Sequence, residues 1–255
     1  PLIHNITNCV TVNDCANAIL AIGASPIMAD DAAEVEEIVS ISSALVINIG
    51  TLNQRTITSM IMAGKRANEL NIPVILDPVG AGASTLRNKT TQEILSQVKI
   101  DVIRGNLSEI SFIAGFKAST KGVDTAKIDE KNDAIDIAKL VSNRYSCVVG
   151  ITGKVDVISD GIRAAKIANG HKLLSKVTGT GCMTSALVGS FCGVTKDYYT
   201  ATVAGIATMG ISGEIAFEKA GEMGTGSFHI SIIDALSNMN STIFLERGKI
   251  DETKY

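Results

Sequence analysis

Apolar and polar positions alternate along the chain in two rhythms. Short, nearly continuous apolar runs are separated by longer stretches in which apolar residues recur at helical spacing. Residues 13–23 predict a helix closed by Gly23, a residue favoured just past a helix C-terminus, and 25–29 predict a short strand ending near Met28. An amphipathic stretch over 34–42 leads into the apolar run 44–51, which has the profile of a strand buried on both faces. A helix over about 56–70, a strand over 72–78 ending at Asp77, and a further helix after the Gly80-Ala81-Gly82 loop continue the alternation.

Residues 101–106 predict a strand whose exit carries Arg104 and Asn106, and a helix opens directly after it. The segment 117–131 reads as a polar surface excursion, followed by a helix over 133–143 and an apolar strand over 147–154. Two short strands flank Asp160-Gly161, a hairpin signal, and helices at about 181–194, 197–218 and 229–240 complete the chain. Strands alternating with helices imply an α/β fold: a mostly parallel sheet flanked by helices in three layers, with an antiparallel edge hairpin. No linker or repeat divides it, so one domain over 1–255 is expected.

In such a sheet, ligands bind beyond the carboxyl ends of the strands. Asp77, Arg104, Asn106, Glu109 and Thr152 all fall at predicted strand exits, and Gly179 falls in a turn leading into a helix, so they are expected to face one crevice. That turn, Thr178-Gly179-Thr180-Gly181-Cys182, places unpaired amides and the positive end of a helix dipole at its tip, where an anion is stabilised. The Thr178 and Thr180 hydroxyls can cap or donate, and Cys182 lies in the first turn, a setting that favours a thiolate. The spacing matches neither the Walker loop nor the dinucleotide fingerprint. A tight connection with no ligand is the alternative reading of this turn alone. Two carboxylates, one guanidinium and an anion cradle together suit a magnesium nucleotide and phosphoryl transfer.

Composition narrows the class further. The 255 residues are 45% hydrophobic and 19% charged, enough for a full core, and with no Trp and 4% aromatics that core is aliphatic. A net charge of −3 without a basic run argues against nucleic acid as a partner. The five cysteines form no Cys-x-x-Cys pair and the three histidines show no ligand spacing, so neither a disulfide framework nor a zinc site is implied. His229 is expected to start a helix. No apolar run stands out as a bilayer span, and a cytoplasmic setting is the expectation. The chain begins at Pro1, and a short native segment is expected ahead of it.

The blocks His4-Asn5-Ile6-Thr7-Asn8, Ala24 to Ala29, Asn48-Ile49-Gly50-Thr51-Leu52, Leu76 to Gly82, Arg104 to Glu109, Ile151-Thr152-Gly153-Lys154 and Thr178 to Cys182 occur in one order over nearly the whole chain. In that order they resemble the ribokinase-like small-molecule kinases and, within them, the hydroxyethylthiazole kinase family. The resemblance implies a ribokinase-like three-layer sandwich that uses ATP and Mg²⁺ to phosphorylate a thiazole alcohol. It implies Met28, Asn8, Val10 and Gly179 at the thiazole, and Arg104, Thr152 and Asn106 at ATP. Asp77 and Glu109 would organise Mg²⁺, and the Gly179-Thr180-Gly181 amides would face the transferred group. Cys182 stands where related ribokinase-like enzymes usually carry Asp, as is usual in the narrower family, and would position the hydroxyl or accept its proton. The family also resembles a homotrimer whose neighbouring subunit completes the pocket. A ribokinase-like kinase for another vitamin or a sugar, a nucleotide-dependent dehydratase, and a non-catalytic nucleotide-binding regulator are the rival readings.

Overall fold

The computed structural model describes residues 1–116 and 130–254. Most of the segment expected as a polar excursion therefore lies outside the described residues.

The first strand, β1 (Leu2–Ile6), precedes helix α1 (Val12–Ala21), which ends at Gly23 with φ +88° as expected. Strand β2 (Ser25–Ile27), helix α2 (Val35–Ser40), strand β3 (Ala44–Asn48), helix α3 (Gln54–Glu69), strand β4 (Val74–Asp77) and helix α4 (Thr85–Gln97) follow. Next come β5 (Val102–Asn106), α5 (Leu107–Ala114), α6 (Glu130–Tyr145) and β6 (Val148–Thr152). The hairpin β7 (Asp156–Ser159) and β8 (Arg163–Ile167) turns at Gly161, φ +91°. A 3₁₀ turn at Lys172–Lys176 leads to α7 (Thr180–Cys192), α8 (Tyr198–Ala220), α9 (Thr225–Ser237), α10 (Ser241–Arg247) and β9 (Ile250–Lys254).

Among the described residues these strands form one nine-stranded sheet in the order β2-β1-β3-β4-β5-β6-β7-β8-β9. Pairing is parallel from β2 to β6 and antiparallel from β6 to β9. One face buries Ile47, Met60, Leu76, Ile94, Ile110 and Ala138, which brings α2 to α6 against the sheet. The other buries Val46, Ile75, Val102, Val188 and Ile206 beneath α1, α7 and α8. This is the expected three-layer sandwich with an antiparallel edge.

Three departures have physical causes. The apolar rhythm hides β1 because His4 and Asn5 interrupt it, although both are buried, His4 bonding the Ala29 carbonyl at 2.8 Å. It also hides β9, an edge strand rich in charge, as edges often are. Helix α9 starts four residues before His229, at Thr225, so His229 is not a helix-start residue; it reaches Asp14 at 3.1 Å instead.

The expectation of no bilayer-length apolar run also needs correction. The segment Tyr198–Met223 is long and apolar enough by composition, yet it is mostly buried as a core helix between α7 and α9.

Register then sets the site. Asn48 pairs with Asp77 at the ends of β3 and β4, and Asn106 with Thr152 at the ends of β5 and β6, so polar pairs close neighbouring strands on one edge of the sheet. Helix α7 lies close enough over the sheet that a Cβ on Gly189 would meet Val46 Cγ2 at 2.4 Å. Gly189→Ala is therefore expected to cost about 1–3 kcal/mol by overpacking, read from chemical denaturation; an unchanged midpoint would refute this close approach.

Candidate active site

The site is built on a carboxylate that the fold buries. Asp77 is 1% exposed at the end of β4, and its Oδ2 accepts hydrogen bonds from Asn48 Nδ2 and Ser185 Oγ, both at 2.8 Å. Arg104 Nη1 lies 3.7 Å away. Burial raises the Asp77 pKa to about 6, with Arg104 and the two hydrogen bonds pulling against it.

Asn48 carries the network to the other side. Its Oδ1 accepts from Asn8 Nδ2 at 3.0 Å and from the Gly50 amide at 2.9 Å. Asn48 Nδ2 and Asn8 Nδ2 both reach Cys182 Sγ, at 3.3 and 3.2 Å, so two donors fix the sulfur in the first turn of α7. Asn8 Oδ1 in turn accepts from the Val10 amide at 3.2 Å. Met28 is partly buried against the same apolar cluster as Cys182, while Val10 is 60% exposed.

The turn before α7 has the expected form. Gly179 holds φ +88°, and a Cβ there would meet Thr11 Cγ2 at 2.8 Å, which explains glycine at this position. The first bond of α7 runs from the Met183 amide to the Gly179 carbonyl, so the amides of Thr180, Gly181 and Cys182 precede the hydrogen-bonded ladder. The Thr180 hydroxyl donates, as expected, but to the backbone. It donates to the Leu174 carbonyl at 3.0 Å and ties the turn to the preceding 3₁₀ segment.

Arg104, on β5, donates from Nη1 to the Gly181 carbonyl at 3.1 Å and from Nη2 to Thr152 Oγ1 at 2.5 Å. Beside it opens a cavity of about 790 Å³ lined by Arg104, Thr152, Thr180 and Gly181, with Ile206 and Met209 on its apolar wall. Asn8, Val10, Met28 and Cys182 do not line this cavity. The arrangement thus has two halves: the cavity beyond Arg104, and a part around Cys182 with Val10 exposed beside it.

Glu109 and Asn106 meet as a capping box at the start of α5: Asn106 Oδ1 accepts from the Glu109 amide, and Glu109 Oε2 from the Asn106 amide. Glu109 Oε1 also accepts from the Gly80 amide at 2.8 Å. Neither residue lines the cavity beyond Arg104; their side chains are held in these local bonds at the β5–α5 junction.

Two carboxylates are hard oxygen donors, and no group of three or more His, Cys, Asp or Glu side chains forms a cage among the described residues. That donor set fits Mg²⁺, which keeps several waters and binds through one or two carboxylates plus substrate phosphates.

Sequence reasoning missed three residues of this assembly. Asn48 ends an apolar strand as Asp77 does, and the same strand-exit rule finds it. Ser185 sits unmarked in the small-residue run of α7. Arg87, in the first turn of α4, donates to the carbonyls of Ile49 and Val79 at 2.6 Å and of Gly50 at 2.5 Å, clamping the loops after β3 and β4 together.

Comparison with known proteins agrees with this geometry. Residues 1–242 match the model of the hydroxyethylthiazole kinase family. The hydroxyethylthiazole kinase of Ruminiclostridium cellulolyticum is 67% identical, over 99% of this chain and 93% of that protein, and the one of Clostridium beijerinckii is 62% identical, over 99% and 92%. A solved hydroxyethylthiazole kinase structure from Pyrococcus horikoshii superposes with a TM-score of 0.91 at 42% identity, covering 100% of this chain and 94% of that one. A pyridoxal kinase from Staphylococcus aureus, at 14% identity and a TM-score of 0.65, shares the fold over 100% of this chain and 98% of its own. The chain belongs to the hydroxyethylthiazole kinase family.

Proposed function

We propose that this chain transfers the γ-phosphoryl group of ATP to the primary hydroxyl of 4-methyl-5-(2-hydroxyethyl)thiazole, a salvage step toward thiamine. The observation that carries the reading is the hydrogen-bonded chain Asn8–Asn48–Asp77, which holds Cys182 on one side and meets Arg104 and the Gly181 turn on the other.

In this reading ATP occupies the cavity beyond Arg104, with Thr152 and Asn106 at its rim, and the thiazole lies in the half around Cys182 against Met28, Asn8, Val10 and Gly179. The hydroxyl oxygen bonds to the γ-phosphorus, the bond to the β,γ-bridging oxygen breaks with its electrons going to ADP, and the hydroxyl proton passes to an oxygen of the transferred phosphoryl group. Amides of Thr180, Gly181 and Cys182 face the charge on the transferred group. Asp77 and Glu109 would hold Mg²⁺, directly or through water; when bound it neutralises phosphate charge. Cys182 chiefly positions the hydroxyl, because a loose phosphoryl-transfer transition state asks little of a base.

The half around Cys182 invites completion by another copy of the chain. A homotrimer with a neighbouring subunit over Val10 suits the 60% exposure of that residue. A cytoplasmic setting suits the free thiols of Cys9, Cys15, Cys147, Cys182 and Cys192.

Incubation with Mg-ATP and the thiazole alcohol, with direct detection of the thiazole phosphate, tests the activity. Product is expected from the native chain, and Asp77→Asn and Arg104→Ala should each lower kcat by about 10²-fold or more; nucleotide bound without product would refute the acceptor assignment. Cys182→Ala is expected to lower kcat roughly tenfold, below the ~10²–10⁴ range of general base catalysis, and undiminished turnover would remove the positioning role.

The pKa of Asp77, raised by burial to about 6 from 3.8, lets the folded protein take up a proton before the unfolded chain does. Stability of the ligand-free protein should therefore rise as pH falls from about 6 toward 4, while activity falls because a protonated Asp77 cannot hold a cation. Denaturation midpoints across that range, for the native chain and Asp77→Asn, check the sign: the variant should lose the Asp77 share of the slope.

A further inference from the structure

Beyond Arg104, the cavity's charged lining raises a question that the proposed reaction leaves open: which groups neutralise the triphosphate. Both terminal nitrogens of Arg104 already donate to the protein, one to Gly181 and one to Thr152, and its side chain is 11% exposed beside Asp77. Asp156 lines the same cavity as a buried carboxylate whose Oδ1 accepts the Gly153 amide at 2.8 Å. Asp156 is committed to holding the wall, and Arg104 spends two of its N–H donors there while keeping others for a ligand.

Two other lining side chains, Lys154 and Lys172, are uncommitted. Both are exposed, and neither ammonium has a hydrogen bond or ion pair among the described residues. They approach from different elements. Lys154 follows the Thr152-Gly153 turn, which the Asp156 bond to Gly153 fixes, and Lys172 opens the 3₁₀ segment that the Thr180 hydroxyl ties to the Gly-Thr-Gly turn. The positions of both lysines are thus set by the turns at the phosphate end.

The polar side chains of the cavity offer little to a base. Asn169 donates to Glu214 and the Arg247 carbonyl and accepts from the Lys249 amide. Ser175 donates to the Lys172 carbonyl, and Thr184 to the Thr180 carbonyl. Ile206, Met209 and Leu174 supply an apolar wall. Side-chain recognition in this cavity therefore falls on charge.

We propose that Lys154 and Lys172 bind the nucleotide's phosphate chain as flexible point charges, in addition to Arg104 and the amides of the Gly-Thr-Gly turn, and that the strength of binding rises with the number of phosphates. The inference rests on the cavity being the nucleotide site.

Calorimetric titration of ATP, ADP and AMP into the native chain, Lys154→Gln, Lys172→Gln and Lys154→Arg tests it without relying on turnover. Each Lys→Gln change should weaken ATP about tenfold, as loss of one charged contact does, weaken ADP less, leave AMP within about twofold, and flatten the salt dependence of ATP binding. Lys154→Arg should retain most of the ATP affinity. Because both side chains are exposed and unpaired, melting temperatures should not move, which separates lost binding from lost structure. Variants that bind ATP like the native chain, or that lose ATP, ADP and AMP by the same factor, would overturn the lysine assignment. A native chain that binds none of the three nucleotides would overturn the reading of the cavity itself.

Discussion

Keeping a carboxylate charged where water cannot reach it is the constraint on which the site depends. Asp77 is almost wholly buried, and a buried charge is costly unless hydrogen bonds and an opposite charge compensate. The compensation comes from three separate elements: Asn48 at the end of β3, Ser185 on α7 and Arg104 on β5. Each must arrive at its position for the others to be worth having. The strand register that pairs Asn48 with Asp77 and the close seating of α7 over the sheet are therefore as much part of the site as the side chains.

The same seating delivers the Gly-Thr-Gly turn that we propose as the anion cradle. Helix α7 can start at the crevice because glycines let it lie against its neighbours: Gly189 over Val46, and Gly205 of α8 against the Val188 backbone, where a Cβ would approach within 2.8 Å. The Arg104 bond to the Gly181 carbonyl then fastens the turn from the sheet side, and the Thr180 bond to Leu174 fastens it from the loop side. A preorganised cradle costs no rearrangement when charge develops in front of it. Arg87 performs a similar service for the loops after β3 and β4.

What the sequence made legible follows from what leaves a local trace. Buried parallel strands such as β3 and β4 announce themselves as apolar runs, and a polar residue closing such a run marks a strand exit, so Asp77, Arg104 and Thr152 could be placed in one crevice before any coordinates. Where burial and polarity coincide, the trace fails: His4 and Asn5 conceal β1. Ser185 acts through a partner 108 positions away, and Arg87 reaches, besides Val79, two partners 37 and 38 positions away, separations that no local pattern records. The direction of a hydroxyl is equally invisible, and Thr180 turns to its own backbone neighbourhood. Glu109 and Asn106 fall at the β5–α5 junction that the strand-exit rule points to, but their capping of α5 emerges only with the geometry.

The acceptor half and the phosphate half form one hydrogen-bonded unit joined through Asn48. A double-mutant cycle between Asn8→Ala and Ser185→Ala, read on kcat for thiazole phosphorylation, tests it most directly, since these residues sit at opposite ends of the chain and do not bond each other. The expected result is an interaction free energy of at least about 0.5 kcal/mol, because losing one end already loosens Asn48 and Asp77 for the other. Effects that add within about 0.3 kcal/mol would mean two independent half-sites and would contradict the account.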